Sequence, residues 1–192
     1  MTSVTRDYAE RLRAVLERRV PATVDEADVR HAAVAVVVTS EAEPALLFVK
    51  REERIDDPWS GHMAFPGGFG SEGETASEAA ERETEEETGL PLARLGERLG
   101  VLDDVFPRSV HLPRVVVTPV VFLVEGRPPV QALAEVERAL WIPVAEVFAA
   151  ANRRPLELDL PLGRMAFDSI VIGDITIWGL TERILLQISK LF

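Results

Sequence analysis

The feature that most limits how this 192-residue chain can fold is a run without a polar side: His31–Val38 reads HAAVAVVV. A strand with one wet face alternates apolar with polar residues, and this run does not. It is β-branched and continuous, so it reads as a central strand covered on both faces. Ala45–Lys50 is a second strand, and Met63–Phe65 a short third one before Pro66-Gly67-Gly68. Val101–Asp103 and Val115–Val124 follow. Pro119 removes a backbone donor from the latter, which is therefore expected at a sheet edge or bulged there. After a turn at Gly126–Pro129 come Val136–Ile142 and, beyond a loop-like stretch at 152–164, strands around 165–177.

Helices fall between these groups. Tyr8, Leu12, Val15 and Leu16 recur at helical spacing within residues 5–18, before Pro21 and a polar connector at Asp25–Asp28. Thr75–Thr88 is a helix with Gly89 as its C-terminal cap. Pro143 opens a short helix through Ala150, and a last one runs from about Trp178 to Leu191. Strands outnumber helices, and no repeat or linker interrupts them. The expected class is α+β, one α/β/α domain over 1–192, with 1–28 as an N-terminal helix and connector.

Composition narrows the functions. Lysine and arginine number 21 against 32 aspartates and glutamates, a net charge of −11. Such a surface does not grip nucleic acid or anionic lipid by general attraction. There is no cysteine, hence neither a disulfide framework nor a thiolate site. Arg6, Asp7 and Glu10 break the apolar run a signal peptide needs, and no apolar stretch is long enough to span a bilayer as a helix. The expectation is a cytoplasmic protein with no membrane and no nucleic-acid partner.

One segment, GGFGSEGETASEAAERETEEETGL at 67–90, breaks a helix rule. Glu81, Glu83, Glu85, Glu86 and Glu87 crowd the last turns of the helix, where the macrodipole disfavours negative charge by ~0.3–1 kcal/mol each. Projected at 3.6 residues per turn, Ala76, Ala79, Ala80, Glu83, Glu86 and Glu87 share one face, and Ser77, Glu78, Glu81, Glu85 and Thr88 the other. Alanines permit close packing, so their neighbouring acids are expected at the edge of the protein body. A hard divalent cation would relieve the repulsion. Arg82 can pair with Glu78 or Glu86 at four-residue spacing, or reach back to Glu74. Gly67, Gly68, Gly70 and Gly73 allow tight turns and close approach of backbone to a ligand.

This segment resembles the Nudix box of the Nudix hydrolases. Gly68, Glu74, Arg82, Glu83, Glu86, Glu87, Gly89 and Leu90 meet that pattern without a gap, and Thr84 stands at a position the family fills with an apolar residue. The resemblance implies a Nudix-type α/β/α sandwich, a mixed β-sheet flanked by helices, that holds Mg²⁺ or Mn²⁺ and hydrolyses a nucleoside diphosphate linked to another moiety. It implies Glu83 and Glu87 as leading metal ligands, Glu86 as ligand or base, and the Gly68 carbonyl as a further ligand. Glu74, Arg82 and Gly89 are structural in the motif. Glu135 is a second candidate base, with an exposed loop glutamate as the competing reading.

The resemblance extends over roughly 30–185 toward the coenzyme A diphosphatase branch. It rests on Leu46-Leu47, Arg51, Gly61, Phe65-Pro66-Gly67-Gly68, Leu102-Asp103-Asp104-Val105-Phe106 and Ile177-Trp178-Gly179-Leu180-Thr181. Val49, Glu52 and Trp59-Ser60 depart from that branch's signature, and the Arg51-to-Gly61 spacing is slightly longer. Arg51 and Arg54, followed by Arg108 and Arg114, are the cations placed to meet a phosphate. Phe106, Trp59 and Trp178 could stack on a base or line a groove, Trp178 fitting core or interface packing better. No histidine spacing suggests a metal site. Coenzyme A or a derivative is the expected substrate, with ADP-ribose, dinucleotides, nucleotide sugars, or a non-catalytic nucleotide-binding module as alternatives. A homodimer is left open.

Overall fold

In the computed structural model, which describes residues 3–53, 61–107, 113–160 and 163–190, the apolar run forms β1 (Arg30–Thr39). Around it follow, in chain order, α1 (Ser3–Glu17) before it, then β2 (Ala45–Arg51), β3 (Met63–Ala64), β4 (Gly67–Phe69) and α2 (Ala76–Thr88). Next come α3 (Leu92–Leu95), β5 (Gly96–Val101), β6 (Val115–Val124), β7 (Val136–Pro143) and α4 (Val144–Val147). The described chain ends with β8 (Arg153–Leu160), β9 (Gly163–Ile172), β10 (Ile175–Trp178) and α5 (Gly179–Ile188).

The main sheet runs β3-β2-β1-β6-β5, with β4 also paired to β1 and β7 to β2. β1 and β6 are parallel from Arg30↔Val115 to Thr39↔Val124, and the other pairings are antiparallel, so the sheet is mixed. Alternation along β1 then divides the core. Ala33, Ala35 and Val37 join Ala79 and Ala80 of α2 on one face. Val36 and Val38 join Leu12 and Leu16 of α1 and Ile184, Leu185 and Ile188 of α5 on the other. This is the expected α/β/α sandwich, and β1 is central because its residues have apolar partners on both sides. Val15, counted on the apolar stripe of α1, is instead 41% exposed.

Four local expectations are corrected. β6 is an interior strand, not an edge: Pro119 opposes Val34 of β1 and its carbonyl accepts from Leu102 N at 2.9 Å. The missing N–H is tolerated because β5 has ended at the Val101↔Val120 rung, and the next link is the Val105↔Val117 bridge. The strand placed at 101–103 lies earlier, at Gly96–Val101. Residues read as loop at 152–164 include β8, which forms a three-stranded sheet with β9 and β10. Pro155 is accepted there because β8 is its edge. Gly67–Phe69, read as part of a loop, is β4. No helix among the described residues is long and apolar enough to cross a membrane.

Candidate functional site

β4 and α2 build the site between them. Thr75 caps α2 through a capping box with Glu78, and Gly89 ends it at φ 69°, its N–H bonded to the Glu85 carbonyl at 2.9 Å. The face of α2 turned to the sheet is rotated from the projected one: Ser77, Ala79, Ala80, Thr84, Glu87 and Thr88 are buried, and Glu86 is exposed. Thr84 serves as the apolar residue of its position by burying its methyl and giving its hydroxyl to the Ala80 carbonyl at 2.6 Å. Thr88 does the same with Thr84.

Both glycines at the start of β4 are required by what they touch. A Cβ on Gly67 would meet the Ala33 carbonyl oxygen at 2.2 Å, and one on Gly68 would meet Glu83 Cδ at 2.5 Å. The backbone therefore lies directly against the acidic helix. Gly67 N donates to Glu87 Oε2 at 3.0 Å. Burial pushes the Glu87 carboxyl up to about 7, opposed by that hydrogen bond; Glu83 and Glu135 push the same way and Arg51 against it. Glu83, Glu135 and Arg51, chosen from distant parts of the sequence, are thus brought within electrostatic reach of Glu87.

Arg82 takes two of its three expected partners, Glu74 and Glu86, and Glu83 besides. Its Nε and Nη2 donate to the two oxygens of Glu74 at 2.9 and 3.1 Å, and Nη2 also to the Phe69 carbonyl at 3.1 Å. Nη1 reaches Glu83 at 2.8 Å and Glu86 at 3.4 Å. Glu78 is instead committed to Thr75. The Arg82 guanidinium, with a hydrogen bond from Ser71 N, holds Glu74 below the usual carboxylate range. With Glu83 and Glu86 turned onto Arg82, no three metal-ligating side chains among the described residues form a ready-made cage. The donor set still fits a hard divalent cation: a buried carboxylate, a half-buried one, and between them a strand stripped of side chains so that backbone oxygen is reachable.

Beside Glu87 opens a cavity of about 250 Å³ on the α5 side of the sheet. Arg51, Gly67, Gly68 and Glu87 form its polar end, with the Phe69 ring beside them; Val34, Val49, Phe65, Leu180 and Ile184 form apolar walls. Trp178 lines it too, packed against His62 at 4.6 Å and Phe167 at 5.5 Å between ring centroids. Phe69, His62 and Met63 went unassigned in the sequence; only their closeness to the glycines along the chain hinted at them. Phe106 and Glu86 are not on the cavity wall: the Phe106 carbonyl accepts from Arg183 Nη1 at 2.9 Å, and Glu86 lies on the outer side of α2 with Glu78, Glu81 and Glu85. Glu135 is also off that wall, exposed, behind Ala134 at φ 51°.

Arg54, Trp59, Arg108 and His111 fall outside the described residues. Arg114 is exposed and paired with Glu26 at 3.1 Å. Asp103 and Asp104 act as a fastener, accepting from Ala22 N at 2.7 Å and Val24 N at 3.0 Å and so tying the connector after α1 to the sheet.

A glycine strand pressed on an acidic helix, inside an α/β/α sandwich, is the class of site on view. A family model described as NUDIX domain matches residues 29–160, and the chain belongs to the Nudix family. It is similar to the uncharacterized Nudix hydrolase NudL of Pectobacterium atrosepticum, at 30% identity over 83% of this chain and 81% of that protein. It is also similar to the ADP-ribose pyrophosphatase of Methanocaldococcus jannaschii, at 44% identity over 37% of this chain and 40% of that enzyme. An uncharacterized protein of Schizosaccharomyces pombe matches at 31% identity over 60% of this chain, but over only 37% of its own length. Among solved structures, a MutT/nudix family protein from Enterococcus faecalis superposes with a TM-score of 0.57 at 18% identity, over 97% of this chain and 73% of that one.

Proposed function

We propose that residues 1–192 act as one Nudix unit, a divalent-metal-dependent pyrophosphohydrolase of nucleoside diphosphate derivatives. The observation that carries this reading is the pressing of Gly67 and Gly68 onto Glu87 and Glu83, at the polar end of an otherwise apolar cavity. Glu83, Glu87 and the Gly68 carbonyl would hold Mg²⁺ or Mn²⁺, with Glu86 next to them on the helix. When bound, the cation neutralises diphosphate charge and lowers the pKa of water at the site. Arg51, at the cavity's polar end, orients a phosphate oxygen. A carboxylate takes the proton of the attacking water. Of the two candidates, Glu135 is favoured over Glu86 because its charge is felt at Glu87, whereas Glu86 is drawn toward Arg82. Arg54, although outside the described residues, is proposed as a second phosphate contact, and Phe106, off the cavity wall, as a peripheral apolar contact for the substrate.

Coenzyme A or a derivative is the proposed substrate, its pantetheine arm lying along Val49, Phe65, Trp178 and Leu180. The 44% identity to an ADP-ribose pyrophosphatase favours a second reading, ADP-ribose. The test is to give the protein both compounds with Mg²⁺ or Mn²⁺ and separate the products. 3′,5′-ADP and 4′-phosphopantetheine from coenzyme A support the first reading. A far higher kcat/KM on ADP-ribose replaces it with the second.

A further inference from the structure

This inference rests on the hydrolase reading and adds where the substrate's base is held. Side chains alternate along β4: the missing Cβ of Gly68 points at Glu83, so Phe69, the next residue, points to the other face of the sheet. Its cross-strand partner there is Ala32, and both line the cavity. Phe69 is 36% exposed, whereas Phe48, Phe65 and Phe122 are buried. The Arg30 guanidinium lies 3.4 Å from the Phe69 ring centroid, yet Arg30 is not part of the cavity wall. Arg30 thus covers one face of the ring from off the cavity wall, while Phe69 itself lines the cavity. Arg82, through its bond to the Phe69 carbonyl, fastens the strand end that carries the ring to the acidic helix.

We propose that Phe69, backed by Arg30, is the stacking platform for the nucleobase, while the aliphatic interior takes the other half of the substrate. Spacing supports this placement. Phe69 is two residues from Gly67, whose N–H holds Glu87, an offset of about 7 Å along a strand. That offset matches the one ribose that separates a base from its first phosphate. A ring held by arginine on one side has little freedom left to lose, so stacking on it costs little ordering entropy.

The test is calorimetric titration of AMP and of ribose 5-phosphate into the Mg²⁺-loaded protein, which reads the base without turnover. Wild type should bind AMP at least tenfold more tightly than ribose 5-phosphate, a difference of about 1.4 kcal/mol. Phe69→Leu should erase that preference and leave ribose 5-phosphate binding unchanged. Phe69→Tyr, which keeps the ring, should retain it. No AMP preference in wild type, or equal weakening of both ligands in Phe69→Leu, would overturn the platform. Failure of the hydrolase reading looks different: no diphosphate is turned over, while the AMP preference and its loss in Phe69→Leu persist.

Discussion

The Glu83 carboxylate occupies the space that a side chain on Gly68 would need, with its Cδ 2.5 Å from where that Cβ would stand. Gly68 is not in the left-handed region, so its backbone accepts alanine and only the carboxylate must move. Gly68→Ala should therefore act on Glu83 more than on the fold. Overpacking of this kind costs about 1–3 kcal/mol of stability, or roughly 2–12 °C, while misplacing Glu83 should lower kcat/KM by about 100-fold. Unchanged kinetics in Gly68→Ala would detach Glu83 from the reaction.

Glu87 makes stability depend on pH in an unusual sense. Its carboxyl, pushed by burial from 4.5 to about 7, is harder to ionise folded than unfolded. The unfolded chain loses the proton first, so metal-free stability should fall as pH rises from about 4.5 through 7. The shift corresponds to a loss on the order of 3 kcal/mol at pH 8. Glu87→Gln should flatten this dependence and raise the melting temperature of the metal-free protein at pH 8. A melting curve for metal-free wild type that is flat between pH 5 and 8 would contradict it.

Metal should reverse that cost. A ligand of the native state at 100 times its dissociation constant adds about 2.7 kcal/mol. Millimolar Mg²⁺ or Mn²⁺ at pH 8 should raise the wild-type melting temperature by several degrees and leave Glu87→Gln nearly unmoved. An unresponsive wild type counts against a site at Glu83 and Glu87.

Arg82 joins Glu74, Glu83 and the Phe69 carbonyl through a planar fork, which lysine cannot reproduce. Arg82→Ala and Arg82→Lys should both cost about 2 kcal/mol, or roughly 4–8 °C for a chain of this size. Full rescue by lysine in thermal melts would mean that charge alone is used.

Much of this was legible in the chain. HAAVAVVV could only be a strand covered on both faces, and the acids of α2 needed compensation whatever the fold. What escaped was set by long-range context. Pro119 looked like an edge marker because the end of β5 at Val101, which removes the need for its N–H, is invisible locally. β8 reads as loop in the sequence because Pro155 and the charges around it mask the alternation of Leu156, Leu158 and Leu160. The packed face of α2 differs from the projected one because Ser77, Thr84 and Thr88 look polar but are buried, Thr84 and Thr88 with hydroxyls returned to the helix's own carbonyls. Glu86 therefore ended outside the packed face, and Glu83 and Glu87 beside β4.

The central claim is that Glu87, with Glu83, holds the cation that makes diphosphate hydrolysis work. Its most direct test is turnover of coenzyme A and ADP-ribose by wild type and Glu87→Gln, across a titration of Mg²⁺ and Mn²⁺ after chelation. Wild type should be inactive when stripped and restored by either ion, while Glu87→Gln, folded and given metal at concentrations that saturate wild type, should lose several orders of magnitude in kcat. Near-wild-type turnover by Glu87→Gln, or hydrolysis by the stripped wild type, would contradict it.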